Sequence, residues 1–202
     1  MTNNLPEPVK KLIERLAALP SLGPRQATRL AFYIIGRGGG EIESLADAVK
    51  NLAGVKICRD CFFVHQNENG LCDICKNPSR RKDAIMVVEK ETDLVSLEAA
   101  RKFNGRYLIL GQIEKTGILD EAQKLRLQAL KNFINKELNG QAEEIILAMN
   151  PTTIGNFQAL LITKDLKPLA KKISRLGQGL PVGGEIEFAD DETLGSALDG
   201  RI

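Results

Sequence analysis

The segment from Cys58 to Cys75 reads CRDCFFVHQNENGLCDIC and contains all four cysteines of the 202-residue chain. The cysteines form two Cys-x-x-Cys pairs, Cys58 with Cys61 and Cys72 with Cys75. Each pair closes a tight turn with both sulfurs on one side, and two such turns facing each other give the tetrahedral four-sulfur cage that Zn²⁺ prefers. We therefore predict a structural zinc knuckle with these four cysteines as its ligands.

Two disulfides or four free thiols are the alternatives to a metal site. Neither explains why every cysteine of the chain stands in one paired arrangement within so short a segment. The single histidine, His65, lies between the pairs, but a closed structural site already has four ligands, so we expect His65 to be a loop residue. A closed site has no open coordination position, and its role would be to fold a loop too small to have its own core.

The composition is that of an ordinary soluble globular protein with one or two domains. Hydrophobic residues make up 43% of the chain, which is enough for a substantial core. The first residues lack the basic and apolar regions of a secretory signal, and no apolar run approaches the ~18 residues of a membrane span. Thiols in a metal-type pattern indicate a reducing compartment. We therefore expect a cytoplasmic protein without a membrane partner.

The charge is unevenly distributed along the chain. Its net value of +2 is too small to indicate a nucleic-acid partner by itself. Residues 1–82, however, carry 13 Lys and Arg against 8 Asp and Glu, whereas the remaining residues carry 15 against 18. This asymmetry favours contact between the N-terminal part and an anion, with a basic solvated face as the alternative.

Two amphipathic helices are predicted ahead of the cysteines, over residues 8–19 and 25–35. The connector LPSLGP ends the first helix and starts the second, since Gly23 can take positive φ and Pro24 suits a first helical turn. Helices joined in this way resemble the helix-hairpin-helix motif, in which backbone N–H groups at the start of the second helix hold a DNA phosphate. The first glycine of that motif is replaced by Ser21.

Arg25 and Arg29 lie one turn apart on the second predicted helix. Both could supply positive charge to neighbouring phosphates, which gives sequence-independent and salt-sensitive binding. We therefore predict that Arg25 and Arg29 bind DNA. The alternative is a plain helical hairpin with basic residues facing solvent.

A third amphipathic helix is predicted over residues 42–54, after a glycine-rich loop at residues 36–40. The apolar side chains expected to face inward on this helix are Leu45, Ala48, Val49 and Leu52.

From Ala84 onward the chain alternates short apolar strands with amphipathic helices. The predicted strands cover residues 84–88, 106–110, 144–149 and 173–176, and the predicted helices cover residues 93–103, 121–138, 157–162, 166–172 and 192–198. This pattern predicts a parallel sheet covered on both faces. Functional groups of such sheets gather at the carboxyl ends of strands, which here carry Glu89, Gly111 and Asn150.

The order of these parts closely resembles the RecR family of bacterial recombination mediators. The matching segments are LPSLGPRQATRLAF at residues 19–32, the two cysteine pairs, AMNP at 148–151 and GLPVGGEIEFADDETL at 179–194. The resemblance implies an α/β protein in four parts. These are a helical domain with a helix-hairpin-helix at residues 1–56, a four-cysteine zinc knuckle at 57–78, a Toprim-like parallel α/β domain at 79–176, and a Gly-rich loop with a short helix at 177–202, expected to contact another subunit.

The function that the resemblance implies is a non-catalytic clamp in recombinational DNA repair. Family members work with RecO and RecF to load RecA onto single-stranded DNA coated by SSB, and their subunits form a ring, which suggests a homo-tetramer here. Basic residues of the family's hairpin contact DNA, and Arg25 and Arg29 occupy the matching positions, while the four cysteines match one for one. Such a protein would associate with the nucleoid in the cytoplasm.

Two departures concern the Toprim-like part. Catalytic Toprim enzymes hold Mg²⁺ between a Glu after the first strand and an Asp-x-Asp after a later one. Glu89 fits the first position, but Asn150 stands where the acidic pair should begin, so we predict no strand cleavage. Glu89 is then either a partner contact or a solvated residue. The family also usually carries Glu-Gly-Glu where this chain has Ile154-Gly155-Asn156, so a partner interface at that loop would be built differently.

The alternative to a clamp is a Toprim-type metal-dependent nuclease, primase or topoisomerase. That enzyme would need metal-binding carboxylates and, as a topoisomerase, a nucleophilic tyrosine. Only Tyr33 and Tyr107 are present, and both fall in apolar stretches that we predict to be core. A third hypothesis, a pure protein-interaction adaptor, would show partner binding without DNA affinity.

Overall fold

The computed structural model describes residues 4–112 and 117–201, and it divides the chain into two compact units that meet in sequence at Val55 and Lys56. The N-terminal unit contains the helices α1 (Glu7–Ala17), α2 (Pro24–Gly36) and α3 (Gly39–Asn51). All three predicted helices are thereby confirmed, although α3 begins within the glycine run that was predicted to be a loop.

The core of the N-terminal unit lies between α1 and α2. Ile13, Ala27 and Ala31 are buried there, and Val9, Leu12 and Leu16 pack around them. Ala27 and Ala31 stand one turn apart on α2, and their small side chains allow α1 to approach the α2 backbone closely. The amphipathic spacing of α1 thus becomes one half of a helical hairpin.

The connector between α1 and α2 differs from its prediction in the residue that has a positive φ. Gly23 has an extended conformation with φ −77° and immediately precedes α2, whereas Ser21 adopts the left-handed conformation with φ 63°. The positive φ therefore falls at the position where the helix-hairpin-helix motif usually has its first glycine. Ser21 takes this conformation at some cost, because a Cβ atom disfavours it.

The prediction that α3 turns its apolar side inward is wrong. Every residue of α3 is exposed, and Leu45, Ala48 and Val49 lie on its surface. The prediction that Tyr33 belongs to the core is also wrong, since this α2 residue is 64% exposed. Helical periodicity identifies an apolar face but not the surface that covers it, and nothing among the described residues covers these side chains.

The C-terminal unit begins with the cysteine segment. Strands β1 (Lys56–Ile57) and β2 (Val64–His65) pair antiparallel, and the single-turn helix α4 (Asp73–Lys76) follows. The remainder contains β3 (Ala84–Val88), α5 (Glu91–Ala99), β4 (Arg106–Ile109), α6 (Glu121–Glu137), β5 (Ala142–Ala148), α7 (Thr153–Leu166), β6 (Ala170–Arg175) and α8 (Asp191–Asp199).

Four of these strands form one parallel sheet in the order β4-β3-β5-β6. Alternate residues along β3 face opposite sides. Ile85 and Val87 join a core with α6 and α7, whereas Met86 and Val88 join a core with Leu94 of α5. The predicted parallel α/β fold, covered on both faces, is confirmed.

The two helices predicted over residues 157–162 and 166–172 are instead one helix and the beginning of a strand. Helix α7 starts earlier than expected because the Thr152 hydroxyl accepts a hydrogen bond from the Gly155 N–H and caps the first turn. Strand β6 then begins at Ala170. No helix within residues 4–112 and 117–201 is long and apolar enough to cross a membrane.

Candidate metal centre, basic hairpin and strand-end site

The four cysteines converge on one point. Their Sγ atoms all lie within 4.8 Å of one another, those of Cys61 and Cys72 are 3.4 Å apart, and all four side chains are buried. A tetrahedral ion with bonds of about 2.3 Å would hold sulfurs about 3.8 Å apart, whereas a disulfide needs about 2.05 Å. The arrangement fits a metal ion and not two disulfides.

Backbone hydrogen bonds shape the two cysteine turns. In the first, the Phe62 N–H donates to the Cys58 carbonyl at 3.0 Å, and Phe62 adopts the left-handed φ of 66° that closes the turn. In the second, Cys72 caps α4, and its sulfur accepts a hydrogen bond from the Cys75 N–H at 3.4 Å. The sulfurs are therefore directed inward by their own local turns, as the Cys-x-x-Cys spacing predicts.

The close packing of the thiols redistributes their protons. Hydrogen bonds from Cys61, and then from Cys72 and Cys75, lower the pKa of Cys58. The pKa of Cys75 is raised because it donates to Cys58, Cys61 and Cys72 and because burial disfavours its thiolate. The cluster thus lowers the pKa of some of its thiols and raises that of others, and a cation at its centre would stabilise further thiolates.

His65 lies outside the four-sulfur cluster. It belongs to β2 and is 8% exposed, so the expectation of a loop residue is wrong. Its Nδ1 atom accepts a hydrogen bond from the Asn67 N–H at 3.0 Å. His65 thereby orders the loop between the two cysteine pairs.

Arg106, at the start of β4, ties the cysteine segment to the sheet. Its guanidinium donates to the Asp60 carboxylate at 2.9 Å and to the Cys75 carbonyl at 3.2 Å, and it lies 4.7 Å from the centre of the Phe133 ring on α6. Arg106 therefore contacts both cysteine turns. Sequence reasoning missed this residue because an arginine at the beginning of a predicted strand carries no signal of its partner.

Hydrogen bonding and packing add to this connection. The Ile109 N–H on edge strand β4 donates to the Cys61 carbonyl at 2.9 Å. Phe63 and Ile74, which pack on the cysteines, also pack on the sheet face that α5 covers. The cysteine segment is therefore part of one layer of the α/β unit.

Both arginines of the helical hairpin are exposed. Arg25 lies in the first turn of α2, which has no acidic residue and no side-chain cap at Gly23, and Arg29 follows one turn later. Neither guanidinium forms an ion pair with any residue in the described part of the chain. The helix terminus and both charges are thus available to an anion.

The strand-end site consists of Glu89, Gly111 and Asn150, which follow β3, β4 and β5, and its structure differs from the prediction for Glu89. Glu89 follows β3 and is only 7% exposed, so its interpretation as a solvated residue is wrong. One carboxylate oxygen accepts a hydrogen bond from the Asn150 backbone N–H at 2.5 Å, and the other accepts one from Asn150 Nδ2 at 2.7 Å. Gly111, the third strand-end residue, donates its N–H to the Glu89 carbonyl at 2.9 Å.

The segment Ile154-Gly155-Asn156 forms the first turn of α7. Gly155 is buried, and a side chain there would collide with the Asn150 carbonyl. The Asn156 side chain accepts a hydrogen bond from Arg175 at the end of β6. This turn therefore packs against the strand-end site.

Fold and site together define the class of protein. A helix-hairpin-helix unit precedes a parallel α/β unit that carries a four-cysteine cluster, and the model of the Toprim domain matches residues 83–177. Two further models match, the RecR helix-hairpin-helix at residues 9–53 and the RecR C-terminal segment at residues 179–202.

Whole-chain comparisons identify the family. The chain is 42% identical over 196 residues to "Recombination protein RecR" of Dehalococcoides mccartyi, covering 96% of this chain and 93% of that protein. It is 41% identical to the protein of the same name from Chloroflexus aggregans, with the same coverage, and 38% identical to that of Clostridium perfringens, covering 97% and 96%. The chain belongs to the RecR family.

We expect the substitution Cys72→Ser to abolish metal binding and to destabilise the C-terminal unit. It removes one of four ligands, and the free energy of unfolding should fall by at least about 3 kcal/mol because metal binding and folding are coupled. Elemental measurement on the purified protein and urea unfolding would test this.

The matched control is Arg106→Met, which leaves all four sulfurs in place but removes the contact with Asp60. This variant should lose about 2 kcal/mol and keep one metal ion per chain. A fully folded Cys72→Ser protein with unchanged stability would contradict a structural metal centre.

Proposed function

We propose that this chain is a non-catalytic, ring-forming clamp that binds DNA through its helical hairpin during recombinational repair. The observation that carries this proposal is the pair of exposed guanidinium groups of Arg25 and Arg29, which form no ion pair within residues 4–112 and 117–201 and lie beside a helix terminus without a side-chain cap. Phosphate oxygens match such a surface in charge and geometry, and contacts of this kind hold DNA without reading its sequence. Recombination is also the role that the names of the curated relatives give to those proteins.

The proposal keeps the four parts that the sequence suggests, at residues 1–56, 57–78, 79–176 and 177–202. The metal of the second part is Zn²⁺, because four thiolates in a closed tetrahedral site favour this ion and leave no position for a substrate. Zn²⁺ would therefore stabilise the fold and take no part in chemistry. Partners of the RecO and RecF type would connect the clamp to RecA loading on SSB-coated strands at the nucleoid in the cytoplasm.

Substitution of the hairpin arginines should weaken DNA binding. Arg25→Ala and Arg29→Ala each remove one phosphate-directed charge, so each should reduce affinity about tenfold and lower the slope of log affinity against log salt by about 1. Gel-shift titrations on single-stranded and double-stranded DNA at several salt concentrations would measure both effects.

Lys102→Ala is the matched control for these titrations. Lys102 is an exposed cation of the C-terminal unit, and its removal changes the net charge by the same amount. It should leave affinity nearly unchanged. Equal binding by wild type, Arg25→Ala and Arg29→Ala would show that the hairpin is not the DNA site, and a wild type without DNA affinity would favour a protein-interaction adaptor.

Two separate apolar surfaces support self-association. The first lies on α2, on α3 and at the residue that follows α3, where Tyr33 is 64%, Val49 60% and Leu52 65% exposed. The second lies in the C-terminal tail, where Ile186 is 69% and Phe188 79% exposed. Surfaces of this kind mark protein contacts. If each pairs with its own counterpart in another copy, the two contacts alternate, and the smallest closed ring has four subunits.

Charged substitutions should divide the ring at one contact or the other. Val49→Asp removes the N-terminal contact and Phe188→Asp the C-terminal one, because an isolated charge in an apolar interface is costly to desolvate. Each variant should form dimers, and the double variant should be monomeric. Light-scattering mass in solution, with and without DNA, would measure this.

Leu160→Asp is the control for the ring experiment. Leu160 is 67% exposed on α7 but belongs to neither apolar surface, so this variant should keep the mass of the wild type. A wild type that remains monomeric with DNA present would contradict the clamp.

The proposed clamp does not catalyse a reaction on DNA. Asn150 stands beside Glu89 where an acidic partner would be needed to hold Mg²⁺, and the Tyr107 side chain is buried in the core that the sheet shares with Leu94 of α5. Incubation of plasmid and primer-template DNA with Mg²⁺ or Mn²⁺ should therefore give no cleavage, relaxation or extension. Turnover that Glu89→Gln abolishes would instead establish a Toprim-type nuclease, primase or topoisomerase.

A further inference from the structure

Glu89 is a buried carboxylate whose two oxygens are bound by one neighbouring residue. The Asn150 backbone N–H donates to one oxygen at 2.5 Å and the side-chain Nδ2 donates to the other at 2.7 Å. Val88 is in register with Ala148, so Glu89 follows the end of β3 and Asn150 lies just beyond the end of β5. Adjacent parallel strands thus aim these two residues at each other.

A buried carboxylate needs strong compensation, because leaving its charge unpaired in the protein interior costs several kcal/mol. A cation shared between carboxylates is one solution. The other is the one that this structure shows, in which neutral N–H donors satisfy both oxygens. Because Asn150 directs its backbone N–H and its side-chain NH₂ at Glu89, the groups that meet the carboxylate are donors and cannot ligate a cation.

A cavity open to solvent lies next to Asn150. A cavity of about 280 Å³ is lined by Asn150, Asp93 and Arg175, among others. An ion could therefore approach the Asn150 side of the pair, while Glu89 lies behind Asn150 and does not line the cavity.

We propose that the Asn150 amide takes the place of a divalent cation against Glu89, so that Asn150 is the residue that excludes metal from this site. In the same contact, Glu89 is a positioning residue that holds the turn between β5 and α7. A partner surface on the first turn of α7, at Ile154 and Asn156, would then depend on Glu89 indirectly. This inference rests on the geometry of the pair and not on the proposed DNA binding.

Exchanging the carboxylate and the amide between residues 89 and 150 tests whether the two side chains act as a pair. Glu89→Gln places an amide NH₂ against the N–H donors of Asn150, so its melting temperature should fall by about 5 °C. Asn150→Asp places a second carboxylate against Glu89 and should cause a similar loss. The double variant Glu89→Gln with Asn150→Asp restores one donor facing one acceptor and should regain most of the loss, whereas independent losses would add.

Adding divalent cations tests metal exclusion by Asn150 separately from the positioning role of Glu89. About 10 mM Mg²⁺ or Mn²⁺ should raise the melting temperature of Asn150→Asp by several degrees, because the new carboxylate pair binds the ion in the folded state only. Wild type and the double variant should not respond. Electron paramagnetic resonance of Mn²⁺ would detect the bound ion directly, without interference from the diamagnetic Zn²⁺ of the knuckle.

Glu68→Gln, which changes an exposed carboxylate in the loop between the cysteine pairs, is the control and should change neither stability nor Mn²⁺ binding. Additive losses in the double variant would overturn the pairing. Mn²⁺ binding by the wild type that Glu89→Gln removes would overturn metal exclusion, as would an Asn150→Asp protein that folds but binds no Mn²⁺. Failure of DNA binding would affect none of these results.

Discussion

Cys61 is the residue at which the cysteine cluster and the parallel sheet meet. Its sulfur lies 3.4 Å from that of Cys72, and its carbonyl accepts a hydrogen bond from the Ile109 N–H on β4. Because β4 is an edge strand, this contact occupies a backbone donor that would otherwise be open to pairing. Arg106 strengthens the same junction through Asp60. The cysteine cluster therefore supports the sheet and is not an independent module.

The strand-end site follows from the same parallel sheet. Parallel strands bring their carboxyl ends to one edge, and in this chain that edge joins Glu89 to Asn150. This chain has the Toprim fold, and its position 150 carries an amide. A scaffold that arranges acidic groups for metal chemistry thus becomes a rigid support for the first turn of α7, since function depends on the side chains placed on a fold and not on the fold itself.

Sequence patterns predicted the secondary structure well where the signal was local. The strand at residues 84–88 has the expected bounds and α6 begins at the expected Glu121, because a continuous apolar run and the Asp120 capping box are local features. The region after Asn150 was predicted less well. Because Thr152 caps the helix, α7 begins before the predicted residue 157. Strand β6 begins at Ala170 because this residue pairs with Ala142, which is distant in sequence.

The sequence by itself determined the family, the four-cysteine pattern, the order of helices and strands, and the replacement of an acidic residue by Asn150. These are properties of residue type and spacing. Only the tertiary structure decided that α3 stays exposed, that Ser21 takes the positive φ, that Arg106 joins both cysteine turns and that Glu89 is buried against Asn150. Periodicity is set by neighbours along the chain, whereas burial and hydrogen-bond partners are set by residues brought together from distant positions.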